Sequence, residues 1–337
     1  MSKEHPKRIL VIRFGAIGDI ILTFPAIMAL KKAWPDAHIT YLTKEKFSPL
    51  VTPQSFIDDV LCLEPNESIQ SLRAKVAAAG IDGIIDLHGQ LRSKALRSFN
   101  TIPTLAQKIP RSLWESSSVR LGWALHQPKS KIVEDHHRVM DSVVGHRLDR
   151  EKIHFQVSPQ QKAAAQARLH QAGFNFKQKT LGISPGANWF TKRWSSERFS
   201  EVAKRAKAEG FQVLTVGSPA EEKLAQDILS RVEVCSVFDA PIEELGALIQ
   251  HTSIYLANDS GPMHIARGLG IPTVAIFGST SPEQFQFGNN TYVFTKQDCS
   301  PCHFYGRKNC PKQHLDCLNS IEVDDVWKSL KELSNGL

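Results

Sequence analysis

The sequence predicts an α/β chain of two doubly wound, parallel-sheet domains facing each other across a cleft. Three observations carry that expectation. Apolar runs bounded by turn residues alternate with helix-period segments, the pattern of repeated strand–helix–strand units. The alternation restarts at Ser158-Pro159-Gln160. The length, 337 residues, is also long for one core and comfortable for two. Domains over 1–158 and 159–337 follow, with a C-terminal helix that has the option of packing back on the first domain.

The chain opens on an apolar strand at 8–14 that runs into Gly15-Ala16-Ile17-Gly18-Asp19. The next helix is expected over 20–33, stopped by Pro35-Asp36. Strands at 38–42, 60–63 and 84–87 follow, with a helix at 68–79. From about 103 to 131 the chain becomes polar and irregular, with Pro110, Ser116-Ser117-Ser118 and Pro128. That is too long for an ordinary connection, so it reads as a substrate-facing insertion or a mobile flap. Trp114, Trp123, Arg111 and Arg120 either face an amphipathic acceptor there or pack the insertion onto its domain. In the second half a helix at 161–172 leads into strands at Thr180–Ser184, Gln212–Val216, 234–238, 253–257 and Thr273–Phe277. Helices at 197–209, 221–230, Ile242–Gln250 and 261–269 lie between them.

Composition narrows the class. Hydrophobic residues at 42% and charged residues at 22% are those of a soluble globular protein. No stretch approaches the roughly 18 uninterrupted apolar residues of a membrane span. The N-terminus leads straight into a strand, so no secretory signal is expected and a cytoplasmic protein follows. The net charge of +7 points to anionic partners such as nucleotides, phosphorylated lipids or an anionic membrane face, with a generally basic surface as the alternative. The basic residues are scattered, which counts against nucleic acid. Of six cysteines, Cys62 and Cys235 sit in apolar strand-like runs and read as buried core thiols. Cys299, Cys302, Cys310 and Cys317 are spaced C-x2-C-x7-C-x6-C, with His303 and His314 nearby. Such spacing permits a structural zinc site, and a reducing compartment disfavours a disulfide framework.

Four constellations fall at strand ends, where open α/β sheets bind ligands. In the first, Gly15 and Gly18 permit close approach, and Asp19 suits taking a proton or holding a hydroxyl better than meeting a phosphate. Helix capping by Asp19 and helix packing by Gly18 is the other reading. The second, Pro185 to Ser195, offers Thr191, Lys192 and Arg193 to a phosphate or diphosphate, with Trp194 packing beneath. In the third, Gly217 permits close approach and Glu221 either accepts from ribose hydroxyls or complements a helix dipole. In the fourth, Asp259, Ser260, Gly261 and His264 open a helix whose amides suit anionic oxygens, with a capping Asp and a buried His as the alternative.

The four in this order resemble glycosyltransferase family 9, the ADP-heptose:lipopolysaccharide heptosyltransferases. The likeness rests on R-F-G-A-I-G-D-I-I-L-T-F-P-A (13–26), P-G-A-N-W-F-T-K-R-W (185–194) and N-D-S-G-P-M-H-I-A-R-G-L-G-I-P-T-V-A-I-F-G-S-T-S-P (258–282). It extends to the Cys-rich tail, for which it implies no established metal role. The resemblance implies a GT-B fold of two Rossmann-like domains, with the acceptor on the first and the nucleotide sugar on the second. It implies inversion at the anomeric carbon with neither cofactor nor catalytic metal, and a D-x-D-type pair at a strand end is missing from the sequence. Asp19 then matches the general base and Lys192 the phosphate-binding lysine. Asp259, Ser260, Gly261 and His264 match the donor-binding element, and Glu221 corresponds only to a loosely placed acidic position. A modest rise in the pKa of Asp19 through burial would let it act near neutral pH.

The expected partners are therefore ADP-heptose, a lipid A-core acceptor and the anionic inner face of the inner membrane. A GT-B transferase using another nucleotide sugar for envelope polysaccharide, and a non-catalytic nucleotide- or nucleic-acid-binding protein, are the alternatives.

Overall fold

A computed structural model describes residues 5–98, 101–107, 131–285, 287–288 and 290–334. The chain divides into two compact units, the second beginning at Val157.

The first unit is built on a parallel sheet of Arg8–Ile12 (β1), His38–Lys44 (β2), Asp59–Leu63 (β3), Gly83–Asp86 (β4) and Thr104–Gln107 (β5), in the order β3-β2-β1-β4-β5. The apolar opening run becomes the central strand because both its faces are covered, and Ile9 to Ile12 are fully buried. Strand order reverses between β1 and β4. Their register, Ile9↔Gly83 through Ile12↔Asp86, brings the two following loops out side by side.

Three details depart from the sequence reading. The expected helix over 20–33 is two helices, Ile17–Ile21 and Phe24–Ala33. Pro25 has no N–H to donate to the Ile21 carbonyl, and the Thr23 hydroxyl donates to the Ile20 carbonyl at 2.6 Å in the break. Residues 104–107, read as the start of an irregular insertion, form the edge strand β5. A helix, Ile132–Val144, follows that stretch and packs on Phe24–Ala33. Residues 108–130, including Trp114, Trp123, Arg111 and Arg120, lie outside the described residues.

The second unit carries Thr180–Ser184 (β6), Gln212–Val216 (β7), Cys235–Val237 (β8), Ile254–Asn258 (β9), Thr273–Phe277 (β10) and Thr291–Phe294 (β11), all parallel, in the order β11-β10-β9-β6-β7-β8. Here the order reverses between β6 and β9. The first helix, Pro159–Gln171, starts where Ser158 and Gln161 form a capping box, with bonds of 3.2 and 2.9 Å. The C-terminal helix, Val323–Ser334, packs on the helix Ser196–Ala208 and on β9 to β11, placing Val326 and Leu330 in the core beside Trp194 and Phe199. Cys62 and Cys235 are half-buried, not core thiols, because β3 and β8 are edge strands; Cys317 is the buried one. No described helix is long and apolar enough to cross a membrane.

Candidate active site

In the first unit the site forms at the reversal of strand order. Gly15 leaves β1 with φ +147°, a backbone that side chains rarely adopt, and a Cβ on it would sit 2.5 Å from the Phe47 ring. The helix Ile17–Ile21 then places Asp19 in its first turn, with Gly18 one residue before it. Arg13 Nη2 lies 2.5 Å from Asp19 Oδ2. Arg13 is itself buried, and it donates through Nε to the Gly15 carbonyl at 3.1 Å and through Nη1 to the Leu87 carbonyl at 2.9 Å. It therefore fastens the β1 loop to the β4 loop and holds the carboxylate at their junction. The helix-capping reading of Asp19 also has a basis, since the Ala16 amide points to Oδ2 at 3.4 Å, a long bond. The sequence reading expects burial at Asp19; the carboxylate is paired with Arg13 and 29% exposed.

The β4 loop is shaped by a residue the sequence reading did not single out. Asp86 is fully buried, accepts from the His88 and Gly89 amides at 2.9 Å each, and pairs with Arg97 Nε at 2.8 Å. An Asp at a strand end with Gly three residues on, Asp86 and Gly89, is the signal that would have found this Asx-type turn.

In the second unit the β6 and β9 loops meet at the other reversal. Lys192 ends a short 3₁₀ turn, Phe190–Lys192, and its Nζ lies 2.7 Å from Asp259 Oδ2. Both groups are largely buried, and Thr280 Oγ1 donates to the same Asp259 oxygen at 2.6 Å. Asn258 joins the loops, accepting from the Trp194 amide at 3.1 Å and donating to the Pro185 carbonyl at 2.7 Å. Trp194 is structural, with its indole N–H on the Ile321 carbonyl.

The remaining candidates fall into two groups. Ser260 occupies the N-cap position of the helix Gly261–Gly268 without a capping bond, and its Oγ is buried without a hydrogen-bond partner among the described residues. With the Gly261 and Met263 amides of the helix start, it lies beside the Lys192–Asp259 pair. The others make contacts within the second unit. Thr191 is buried with its hydroxyl on Ser279 at 2.9 Å, and Arg193 Nε turns back to the Ala187 carbonyl at 2.7 Å. His264 is 3% exposed and meets Phe285 edge-to-face. Glu221 Oε2 accepts from the Ser218 amide and hydroxyl, both at 2.9 Å, which is the helix-start reading. Its Oε1 nevertheless reaches the β6 loop, lying 1.7 Å from where a Cβ on Gly186 would be. Gly217 admits Phe238, whose ring lies 2.4 Å from the corresponding position. Among the described residues no group of three or more His, Cys, Asp or Glu is arranged to hold a metal ion.

Residues 69–314 match the family model described as glycosyltransferase family 9 (heptosyltransferase). The chain belongs to glycosyltransferase family 9. Among relatives in this family, lipooligosaccharide heptosyltransferase 2 of Campylobacter jejuni is 33% identical over 169 residues, 46% of this chain and 52% of that protein, so the match spans about half its length. Lipopolysaccharide heptosyltransferase 1 of Campylobacter coli is 23% identical over 354 residues, covering 97% of this chain and 98% of that one. The solved structure of a family 9 glycosyltransferase from Veillonella parvula superposes with a TM-score of 0.81 at 21% identity, over 98% of each chain. That of Escherichia coli ADP-heptose LPS heptosyltransferase II gives 0.73 at 18% identity, over 98% of this chain and 99% of the other. The family 9 chain thus has the two-domain GT-B fold.

Proposed function

We propose that this family 9 enzyme moves L-glycero-D-manno-heptose from ADP-heptose to the inner core of lipopolysaccharide, a lipid A–Kdo or heptosyl acceptor, with inversion and without a bound metal. The observation that carries the reading is the Lys192–Asp259 pair at the strand-order reversal of the second unit, beside the Ser260–Gly261 helix start. A lysine and unbonded donors at that position suit a diphosphate. The names of the relatives supply the heptose and the lipopolysaccharide.

The chemistry assigns each group one task. Asp19 accepts the proton of the acceptor hydroxyl as that oxygen bonds to the anomeric carbon and the bond from that carbon to the β-phosphate oxygen breaks. Arg13 aims the carboxylate. ADP leaves with its electron pair, and Lys192 with the Ser260 hydroxyl and the helix amides meets the developing charge. Asp259, once Lys192 turns to phosphate, is free to accept from sugar hydroxyls, and Glu221 from the ribose. The net charge of +7 supports contact of the enzyme with an anionic lipid face, where its acceptor resides.

Incubation with ADP-heptose and a panel of truncated lipopolysaccharide cores tests the reading. One acceptor should gain the mass of a single heptose as ADP is released, at a rate unchanged by a chelator. Transfer only from a different nucleotide sugar would replace heptose as the donor.

A further inference from the structure

The Cys-rich segment 299–317 has no part in the chemistry above, yet it is tied at several points to the turn that carries Lys192. Near its start, the Ser300 hydroxyl donates to the Gly278 carbonyl at 2.5 Å, and the Cys302 and His303 amides both donate to the Ser279 carbonyl, at 3.0 and 3.1 Å. At its end, Cys317 and Leu318 are buried in the core of the second unit. Between these anchors the Arg307 amide donates to Thr191 Oγ1 at 2.8 Å, and the Thr191 amide returns a bond to the Arg307 carbonyl at 3.2 Å. Gly306, at φ +95°, lies directly on the stem of Lys192. A Cβ there would sit 2.7 Å from Lys192 Cδ and 2.7 Å from Trp189 Cβ.

From these contacts we infer that the Cys-rich segment is a strap that presents Lys192 to the donor diphosphate, with Gly306 and the Thr191–Arg307 bonds as its points of purchase. The inference rests on the diphosphate role proposed for Lys192. The physical reason is preorganisation. A lysine stem has four rotatable carbons to order, and a stem held before the ligand arrives leaves only the ammonium end to turn from Asp259 to the phosphate as the donor binds. Glycine at 306 lets the strap backbone close on the stem, which no side chain permits at that φ and that distance. Gly306 and Arg307 are positioning residues: they act on the donor through Lys192.

Calorimetric titration of the full chain with ADP and with adenosine, which lacks the diphosphate, tests this. Gly306→Ala should weaken ADP about tenfold, the scale of a misplaced charge-assisted contact, and leave adenosine affinity unchanged. In a Lys192→Ala background the same substitution should add no further loss, a coupling that a merely structural role would not produce. If Gly306→Ala fails to fold, Thr191→Val should reproduce the selective loss and Thr191→Ser should restore it. Unchanged ADP affinity in these variants, equal losses for ADP and adenosine, or additive losses in the double variant would overturn the strap while leaving the diphosphate role of Lys192 in place. Wild-type ADP affinity in Lys192→Ala alone would remove both.

Discussion

At Lys192 an ammonium only 13% exposed is held 2.7 Å from Asp259, so under the proposed function a donor diphosphate would compete with a carboxylate that Thr280 also steadies. That competition gives the residue two measurable effects. Lys192→Ala should weaken ADP binding by about 2 kcal/mol, the range of a charge-assisted hydrogen bond, as read by calorimetry. It should also lower kcat, because the same ammonium meets charge that grows as the leaving group departs. Weaker binding with unchanged kcat would limit Lys192 to holding the ground state. Lys192, Asp259 and Ser260 could be singled out in the sequence because each lies in a loop that follows an apolar strand. Their partners were not. Thr280 is 21 residues from Asp259, Asn258 is 64 from Trp194, and Arg307 is 116 from Thr191. Only the folded sheet brings such pairs together.

Among the elements, the helix Ile132–Val144 shows how electrostatics fixes a segment whose pattern hides it. Its buried face includes His136 and His137 beside Val133, Val139 and Met140, so the apolar stripe is broken by polar residue types. Arg150 ties it down, bonding Glu134 at 2.9 and 3.0 Å and Asp141 at 2.7 and 2.9 Å. The Arg150 fork holds the Glu134 carboxyl below its ordinary range against burial. For Asp141 burial pushes upward, and the fork with the Leu148 amide outweighs it. Both carboxyls are depressed in the folded state, so their stabilisation is present above the unfolded values near 4 and is lost as pH falls through the folded ones. Arg150→Ala should therefore cost about 1–3 kcal/mol near neutral pH. The loss should begin to shrink as the solution is acidified below about pH 4 and vanish once pH falls below the lowered folded values, where both carboxyls are protonated in either variant. Denaturant midpoints at two pH values read this directly, and a pH-independent loss would trace the effect to packing instead. The edge strands β5 and β11 escaped the sequence for another reason. Each is four residues without a fully buried side chain, whereas the edge strands β3 and β8, which were legible, each bury one. Central strands, buried on both faces, announced themselves.

For the whole molecule, the two units have separate cores, and the proposed function puts donor and acceptor work on different ones. Unfolding of such a chain need not be two-state, and a ligand raises the stability only of what it binds. Saturating ADP at about a hundred times its Kd should stabilise the second unit by about 2.7 kcal/mol, visible as an upward shift of one calorimetric transition. A shift confined to the transition of the first unit would move the nucleotide to the sheet that carries Asp19. The division of labour itself is tested most directly at Asp19, by measuring turnover and donor affinity in one preparation of Asp19→Ala. The account predicts that heptose transfer is lost, by at least about a hundredfold for removal of a general base, while the Kd for ADP stays at the wild-type value. Undiminished turnover, or a collapse of ADP binding alongside lost activity, would contradict it.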